Sequence, residues 1–400
     1  FACMRVDSLL ELLPAYLHGV EGPYLLPAER ALWERALRDE PCRLPEKGRE
    51  SFIRAAFLTW LLTEERLKGL LPPSGLRIHG GRLIDSSAME EDPLPAPLSI
   101  PHATLYHSLE MKGSELGGVY GPNAHTKALR FIQCRLTGPV LLENAILHGQ
   151  LDLSDSLLGP YSIDLSESEI DGSLALSRAE FHALYAHWLL VKGSVQASQA
   201  RVGDRLFLGN ARVEGDLILS GAEISGSHAQ PPQNSSRQEA ATSPTPPHSD
   251  LRFVRSPLAG EEVEVPSPPE VPWYVGAALD RAQIHGQLDI SGLRLSRGKL
   301  SLQEAQIGGN LQANNAALSA INLTNAVIQR TADFSRLRLS NYTNPPEPEP
   351  WQMRFFAYPF RGRGMKVGGD LKLSFVEITG SLNLHEARIQ GDLLIEGLNR

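Results

Sequence analysis

Hydrophobic and polar residues alternate along most of the chain in a unit of eleven residues. The unit begins with a small or apolar residue, has Ile, Val or Leu at its third position and Gly at its fifth, and has apolar residues at its seventh and ninth positions. One complete copy consists of Ala211, Val213, Gly215, Leu217 and Leu219. Such alternation predicts short β-strands with one buried face. Two units would form one coil, and stacked coils would form a parallel β-solenoid around a narrow apolar core.

The unit recurs from Cys134 to the end of the chain. Further copies begin at Ala145, Ser168, Leu189, Ala200, Ala282, Ala305 and Ala326, and Met365, Val376, Ala387 and Leu398 follow at steps of eleven. We expect nine to eleven coils and a rod of roughly 45–55 Å, given the usual spacing of neighbouring strands. We interpret the glycine at the fifth position as a bend in which a side chain or a negative φ is unfavourable.

The first part of the chain has the periodicity of helices instead. In residues 51–70, the apolar residues Phe52, Phe57 and Trp60 belong to a series spaced by three and four, and charged residues fill the opposite side. Residues 28–38 follow a proline suited to a first helical turn. Residues 7–18 predict another helix, interrupted by a proline. A small helical region therefore precedes the repeats.

Two complete units carry a resemblance to a known family. The segments 211–221 (ARVEGDLILSG) and 282–292 (AQIHGQLDISG) resemble the repeats of bacterial pentapeptide-repeat-like β-solenoids. The chain is most similar to a poorly characterised actinobacterial-type group in which a short helical region precedes such repeats. The resemblance implies a β-solenoid. It also implies one functional alternative, because some pentapeptide-repeat proteins imitate duplex DNA with acidic flanks and bind topoisomerases.

Composition narrows the class of protein. Hydrophobic residues make up 42% of the chain and charged residues 21%, which excludes wholesale disorder. The three cysteines are too few for a disulfide framework and are typical of a reducing compartment. Neither a run of apolar residues long enough to span a membrane nor a signal peptide is present in this sequence, and a start at Phe1 leaves open what precedes it. We expect a cytoplasmic protein.

Two segments interrupt the repeat. Residues 228–272 contain ten prolines and predict an insertion that projects from a coil, because the repeat resumes in phase after it. The second interruption ends in a segment rich in aromatic and basic residues. This segment is either a loop covering the side of the solenoid or a recognition surface for a protein, a nucleic acid or a membrane interface. Its candidate partner-binding residues are Trp351, Arg354, Phe355, Phe356, Tyr358, Phe360, Arg361, Arg363 and Lys366.

Charge is distributed unevenly along the solenoid. Residues 145–227 contain 11 acidic and 5 basic residues, a net charge of −6, whereas residues 276–400 contain 11 acidic and 14 basic residues, a net charge of +3. An acidic flank of this kind keeps the DNA-mimic alternative open, although basic residues interspersed with the acids favour an ordinary solvated surface. Nucleic acid is a less favoured partner than protein.

Motifs of known chemistry are missing from the sequence. The histidine pairs His102/His107 and His182/His187 do not have the spacing of a zinc site. The glycines from Gly362 to Gly368 lack the third glycine of a dinucleotide fingerprint, and neither a phosphate-binding loop nor a nucleophile elbow occurs. We therefore predict no catalytic residue, no cofactor and no metal.

The sequence thus predicts a mainly β protein, a parallel β-solenoid (β-helix) built from 11-residue half-coils and preceded by a small α-helical region. We divide it into a helical region at 1–75 and a solenoid at 76–400, with irregular first coils at 76–133, a proline-rich insertion at 228–272 and a second insertion at 341–363. Its expected function is that of a non-enzymatic scaffold or protein-interaction module within a larger assembly. The alternatives are an acidic DNA-mimic regulator of a DNA-binding enzyme, and an enzyme with a groove between the solenoid and the helices or insertions.

Overall fold

The computed structural model describes residues 9, 12–19, 22–45, 48–85, 93–226, 254–255, 262–263, 275–340 and 358–397. Within these residues the chain winds into a solenoid with four flat sides, which we number as faces 1 to 4 in the order in which each coil forms them. Nearly all strands pair in parallel with the strand 20 to 23 residues further on wherever the repeat is uninterrupted, as in Val195↔Leu217 and Leu151↔Leu174. The predicted parallel β-solenoid is confirmed.

Faces 1 and 2 are sheets of eleven and ten strands. Face 1 contains Leu98–Ser99, Val119–Tyr120, Val140–Leu141, Ile163–Asp164, Leu184–Tyr185, Leu206–Phe207, Val275–Ala278, Lys299–Ser301, Ile321–Asn322, Phe360–Arg361 and Leu382–Asn383. Face 2 contains His125–Thr126, Ile146–Leu147, Glu169–Ile170, Leu190–Val191, Arg212–Val213, Gln283–Ile284, Gln306–Ile307, Val327–Ile328, Lys366–Val367 and Arg388–Ile389.

Face 3 is the longest sheet, and face 4 consists of two sheets bridged by Leu157. Face 3 contains Cys42–Arg43, Leu76–His79, Leu109–Lys112, Leu129–Ile132, Leu151–Asp152, Leu174–Ala175, Val195–Gln196, Leu217–Ile218, Leu288–Asp289, Leu311–Gln312, Ala332–Asp333, Leu371–Ser374 and Leu393–Glu396. Face 4 contains Phe52–Arg54, Arg82–Ile84, Glu115–Leu116, Arg135–Leu136, Glu180–Phe181, Arg201–Val202, Glu223–Ile224, Arg294–Leu295, Ala317–Leu318, Arg338–Leu339 and Glu377–Ile378.

Face 3 is longer than the expected nine to eleven coils, whereas faces 1 and 2, with eleven and ten strands, agree with that number. The thirteen strands of face 3, at ~4.8 Å per step, correspond to a rod of about 58 Å. The additional strands, Cys42–Arg43 and Leu76–His79, lie before the region in which the repeat is visible. They pair in parallel with their neighbours although their sequences lack the eleven-residue pattern.

Two α-helices close the N-terminal end. Helix α1 spans Pro27–Ala36 and helix α2 spans Ala55–Thr63. In chain order α2 lies between strands of faces 4 and 3, in the place that faces 1 and 2 occupy in later coils. The hydroxyl of Thr59 donates to the carbonyl of Ser99 at 3.3 Å, and the apolar side chains of both helices belong to the same buried core as the coils. The helices thus cap the open core.

The prediction for residues 51–70 needs correction at its ends. Phe52–Arg54 is a strand that pairs with Arg82–Ile84, and the short 3₁₀ helices Arg49–Ser51 and Glu65–Leu67 flank the strand and α2. Of the predicted helix at 7–18, residues 7, 8, 10 and 11 lie outside the described residues, and the described Leu9 and Leu12 are helical. A 3₁₀ turn, Ala15–Leu17, and an antiparallel pair of His18–Gly19 with Gly22–Pro23 are described there, and a second antiparallel pair joins Val254–Arg255 to Glu262–Val263.

A buried ion pair joins α1 to the first strand of face 4. Glu29 and Arg54 are fully or almost fully buried, and Nη2 of Arg54 donates to Oε2 of Glu29 at 2.7 Å. Arg54 also donates to the carbonyls of Leu17 at 2.8 Å and Tyr24 at 2.9 Å. Because every polar atom of this pair has a partner, the pair can be buried at little cost and fixes the cap onto the solenoid.

The fifth-position glycines form a continuous ladder at the corner between faces 2 and 3. The amide of Gly193 donates to the carbonyl of Gly172 at 2.9 Å, and the amide of Gly215 donates to that of Gly193 at 2.9 Å. A Cβ at these positions would collide with the backbone of the preceding coil. The expectation that a side chain is unfavourable there is confirmed, but the expectation that φ is positive there is wrong.

The left-handed conformation occurs instead at the eleventh position. The non-glycine residues just before each new unit, among them Asn144, Asn210 and Asn325, have φ between 54° and 61°. Asparagine tolerates this conformation better than most residues. The same position is also occupied by bulky residues, including Trp188 and Phe375, with φ of 59° and 57°.

Candidate interaction surface

Both interruptions of the repeat lie at the same corner of the solenoid. The first leaves face 4 after Glu223–Ile224 and returns to face 1 at Val275–Ala278. The second leaves face 4 after Arg338–Leu339 and returns to face 1 at Phe360–Arg361. Face 1 continues in register across both, since Leu206 pairs with Ala277 and Ile321 with Phe360. The two insertions therefore share one corner, three coils apart, or about 14 Å along the axis.

The outward side of face 1 is unusually buried from the coil before the first insertion to the coil before the second. Phe207, Ala278, Ser301 and Asn322 alternate with inward-facing residues and so point away from the core, yet they are 1%, 7%, 2% and 7% exposed. Outward side chains on face 4 are largely exposed; that of Arg201, for example, is 72% exposed. Face 1 therefore differs from face 4 in that several of its outward side chains are buried.

An aromatic group lies on this outward side. The ring of Phe207 stacks on those of Tyr185 and His187, with centroids 5.7 Å apart in both cases. Burial lowers the pKa of His187, and its Nε2 atom is buried without a hydrogen-bond partner. Burial, followed by the charge of Asp204, raises the pKa of Tyr185. Trp188 follows at the adjacent corner and is 63% exposed.

Three carboxylates lie beside the aromatic group, on neighbouring coils. Burial, followed by the charge of Asp164, raises the pKa of Glu143 to about 7, and Glu167 adds to the shift. The carboxylate of Asp164 accepts a hydrogen bond from the amide of Ser166 at 2.9 Å. None of the three forms an ion pair with another described residue. Perturbed titration of several groups in one place is typical of functional sites, although structural networks also produce it.

Many carboxylates elsewhere on the solenoid are paired with bases on a neighbouring coil. Arg178 pairs with Asp155, Lys192 with Asp171, Arg294 with Glu223 and Arg338 with Glu377, at 2.5, 2.6, 3.2 and 3.3 Å. Such exposed pairs add little stability each. They neutralise part of the acidic side chains along the rod, while Asp152, Asp289 and Asp333 on face 3 form no ion pair with another described residue.

The predicted aromatic and basic segment is divided between different parts of the solenoid. Trp351, Arg354, Phe355 and Phe356 lie outside the described residues. Phe360 is a core residue rather than a surface one: it is fully buried, stacks between Ile321 and Leu382, and meets Phe334 edge-on at 5.1 Å. Its strand position points inward, which the sequence pattern around the insertion did not reveal.

The other members of the segment are at least partly accessible. Tyr358 is 39% exposed, and Arg361 is half-buried on the outward side of face 1. The pKa of the half-buried Lys299 is lowered mainly by its burial, and the charge of Arg361 lowers it further. Arg363 lies at the next corner and pairs with Glu386 at 3.6 Å. Lys366 is exposed on face 2. Arg361 and Arg363 thus extend the outward side of face 1 beyond the second insertion.

The aromatic group around Phe207 was not predicted from the sequence. Its residues occupy outward positions of the unit, where polar residues are expected. The presence of aromatic residues at these positions was the one feature of the sequence that could have indicated the group. In the sequence, His187 was considered only as part of a histidine pair that lacks the spacing of a zinc site. The grouping itself depends on which residues of successive coils lie next to each other.

The described part of the chain was also searched for metal sites, membrane-spanning helices and reactive thiols. No cluster of three or more His, Cys, Asp or Glu residues is placed there to hold a metal ion. None of the helices in that part is long and apolar enough to cross a membrane. Cys42 and Cys134 are buried free thiols, and burial raises their pKa values to about 11 and about 12.

Comparisons with known proteins give a limited result. No protein-family model matches the chain, and no curated protein does. One similar solved structure is that of HetL, a pentapeptide repeat protein involved in the regulation of heterocyst differentiation, from the cyanobacterium Nostoc sp. strain PCC 7120. It is 18% identical, and the match covers 72% of this chain and 87% of HetL with a TM-score of 0.23. The fold described above rests on the strand pairing and not on this match.

Proposed function

We propose that this protein is a non-enzymatic β-solenoid that serves as a scaffold or protein-interaction module within a larger assembly in the cytoplasm. Its partner binds at the outward side of face 1 and at the adjoining corner. The observation that carries the proposal is the combination found there: buried outward side chains, the aromatic ring of Phe207 among them, directly beside the only two long insertions that separate described coils.

Physical properties of this surface support the proposal. A solenoid side is rigid and extended, so it can offer many contacts at little cost in conformational entropy. Aromatic and arginine side chains dominate binding hot spots, and Tyr185, Trp188, Arg361 and Arg363 supply both kinds on one side of the rod. Residues 351–356 would add further members of the same types from the second insertion.

The acidic DNA-mimic alternative has less support. A DNA mimic needs rows of unpaired carboxylates, whereas many carboxylates on faces 2 to 4 are matched by arginine or lysine on a neighbouring coil. Glu143, Asp164 and Glu167, which form no ion pair with another described residue, lie on adjacent coils of face 1. This is too short a row to follow a duplex, but it favours a partner that brings positive charge to one end of the surface.

Site-specific photo-crosslinking tests the proposal. A photoreactive phenylalanine is introduced at Trp188, at Arg363, or at Gln196, which is exposed on face 3 of the same coil as Trp188. We expect one and the same protein to be captured at Trp188 and at Arg363, which are five coils or about 24 Å apart, and not at Gln196. Equal capture at Gln196 would contradict the assignment to face 1.

A second arm tests the arginines. Replacing Arg354, Arg361 and Arg363 together with Gln should weaken binding of the captured partner and leave the melting temperature nearly unchanged, because an exposed ion pair such as that of Arg363 with Glu386 contributes little to folding. A triple variant that binds the partner as tightly as the parent would remove these arginines from the proposed surface.

A further inference from the structure

Two histidines lie near each other on the outward side of face 2. His125 and His148 belong to successive coils, since Thr126 pairs with Leu147, and both are exposed. Their ring centroids are 6.5 Å apart. Imidazole is the commonest metal ligand among protein side chains, so two such rings within reach of one ion form a candidate binding site. With two ligands, the pair is smaller than the three-residue clusters that are absent from the described part of the chain.

A carboxylate orients the second of these histidines. Nδ1 of His148 lies 3.0 Å from Oδ2 of Asp171, which belongs to the next coil. An ionised carboxylate only accepts hydrogen bonds, so Nδ1 carries the proton and Nε2 is left as the ligand atom. Histidines that bind metals usually donate their other ring nitrogen to a carboxylate in this way. Lys192 in turn holds Asp171, with its Nζ atom 2.6 Å from Oδ1 of the carboxylate.

The spacing of the two rings suits a single ion after a small movement. An ion about 2.1 Å from one nitrogen of each ring, in tetrahedral geometry, places the two ring centroids about 5 Å apart. The rings of His125 and His148 must therefore approach each other by about 1.5 Å, which is 6.5 minus 5. Because His125 is exposed, a change in its side-chain torsions can supply this movement. Lys127 is also exposed, and its flexible side chain can keep its charge away from the ion.

We propose that His125 and His148 bind Zn²⁺ or a divalent transition-metal ion of similar softness, with Asp171 as the positioning residue and water completing the coordination. Imidazole suits such ions, whereas Mg²⁺ prefers oxygen ligands. Since the two ligands come from successive coils, the ion joins these coils and should stabilise the folded protein. The site lies on face 2 and does not depend on the partner surface proposed for face 1.

Calorimetric titration of the full chain, without an affinity tag, with Zn²⁺ alone tests the proposal. The test variant is His125→Ala/His148→Ala. The matched control is His285→Ala/His385→Ala, which removes two exposed histidines that lie on separate coils. We expect the test variant to bind one Zn²⁺ fewer than the parent and the control. All four histidines are exposed, so without metal each variant should melt at nearly the temperature of the parent.

Three results would overturn the proposal. The first is an equal number of bound Zn²⁺ ions in the parent and the test variant. The second is an equal loss in the control, which would show adventitious binding to exposed histidines only. The third is displacement of the Zn²⁺ by excess Mg²⁺, which would assign the ion to carboxylates instead of imidazoles. We expect excess Mg²⁺ to leave Zn²⁺ binding unchanged.

Asp171→Asn tests the positioning role separately from ligation. An amide can donate as well as accept, so it no longer fixes the proton on Nδ1 of His148. We expect Zn²⁺ to bind about tenfold more weakly with unchanged stoichiometry, which is the usual effect of losing such a partner. Asp155→Asn is the control, because it breaks the comparable exposed pair of Asp155 with Arg178 and should leave Zn²⁺ binding unchanged. Unchanged affinity in Asp171→Asn would contradict the role assigned to this carboxylate.

Discussion

The ladder of fifth-position glycines predicts that a single added methyl group destabilises the solenoid. The amide of Gly215 donates to the carbonyl oxygen of Gly193 at 2.9 Å. A Cβ at Gly215 would stand 2.8 Å from that same oxygen and 2.9 Å from its carbon, and would overlap the hydroxyl of Ser194. An ordinary contact begins at 3.4 Å, so Gly215→Ala must move one coil by about 0.6 Å, which is 3.4 minus 2.8.

The cost follows from this shift. Forcing an extra methyl group into a packed interior costs about 1–3 kcal/mol, and stretching one ladder hydrogen bond adds about 1 kcal/mol. Replacing glycine with alanine also restricts the unfolded chain, which returns about 0.4–1 kcal/mol. We therefore expect Gly215→Ala to lower the free energy of unfolding by about 2–3 kcal/mol.

Gly69→Ala is the matched control. A Cβ at Gly69 meets nothing within 4 Å, and its φ lies outside the left-handed region, so only the effect on the unfolded chain remains. Urea unfolding followed by circular dichroism should place the Gly215→Ala midpoint well below that of the parent and the Gly69→Ala midpoint at or slightly above it. Coincident curves for the two variants would refute the close stacking.

Three further predictions concern named side chains. Leu217→Asp puts a charge between stacked coils and should lower the free energy of unfolding by at least about 3 kcal/mol. Glu214→Lys, at an exposed position, should change the free energy of unfolding by no more than about 1 kcal/mol. Equal melting temperatures for the two variants would show that Leu217 does not point into the core. Glu29→Gln leaves Arg54 buried without its counter-charge and should lower the free energy of unfolding, measured with urea, by about 3–5 kcal/mol. An unchanged free energy of unfolding would show that the cap tolerates an unpaired charge. Since the folded pKa of Glu143 is raised from 4.5 to about 7, the folded state binds more protons across that window and loses stability as pH rises through it. Glu143→Gln should therefore raise the melting temperature at pH 8 and leave it nearly unchanged at pH 4, and a gain of the same size at both pH values would contradict this.

The regular part of the fold could be predicted because alternation and the eleven-residue unit are both local. Leu217 follows the pattern, so its burial between Val195 and Leu288 follows from the repeat alone. The first strands could not be predicted in this way. Cys42–Arg43 and Phe52–Arg54 are only two and three residues long, and they become strands because a neighbouring coil offers backbone partners.

The candidate surface could be predicted only in part. A partner site was expected at residues 351–366, and its arginines Arg361 and Arg363 do adjoin face 1, but the site itself remains a prediction. Phe360 was assigned to the surface because its aromatic neighbours suggested it, although its strand position directs it into the core. The cluster of Tyr185 and Phe207 joins residues of different coils. To predict this cluster from the sequence, one must know which residues of successive coils lie next to each other. That depends on the length of each coil, which varies along the chain.

Disulfide trapping across the insertions tests most directly the claim that both project from one corner of an unbroken solenoid. Ile218 and Asp289 are paired neighbours on face 3 although the first insertion separates them, and Asp333 and Lys372 are paired across the second. Neighbouring strands lie about 4.8 Å apart, within the Cα separation that a disulfide requires. We expect cysteines at Ile218 and Asp289, and likewise at Asp333 and Lys372, to form a disulfide on mild oxidation. Cysteines at Ile218 and Gln312, two coils or about 9.6 Å apart, should not. Equal disulfide formation in the pairs one coil and two coils apart, or none in either, would contradict the register on which face 1 and its surface depend.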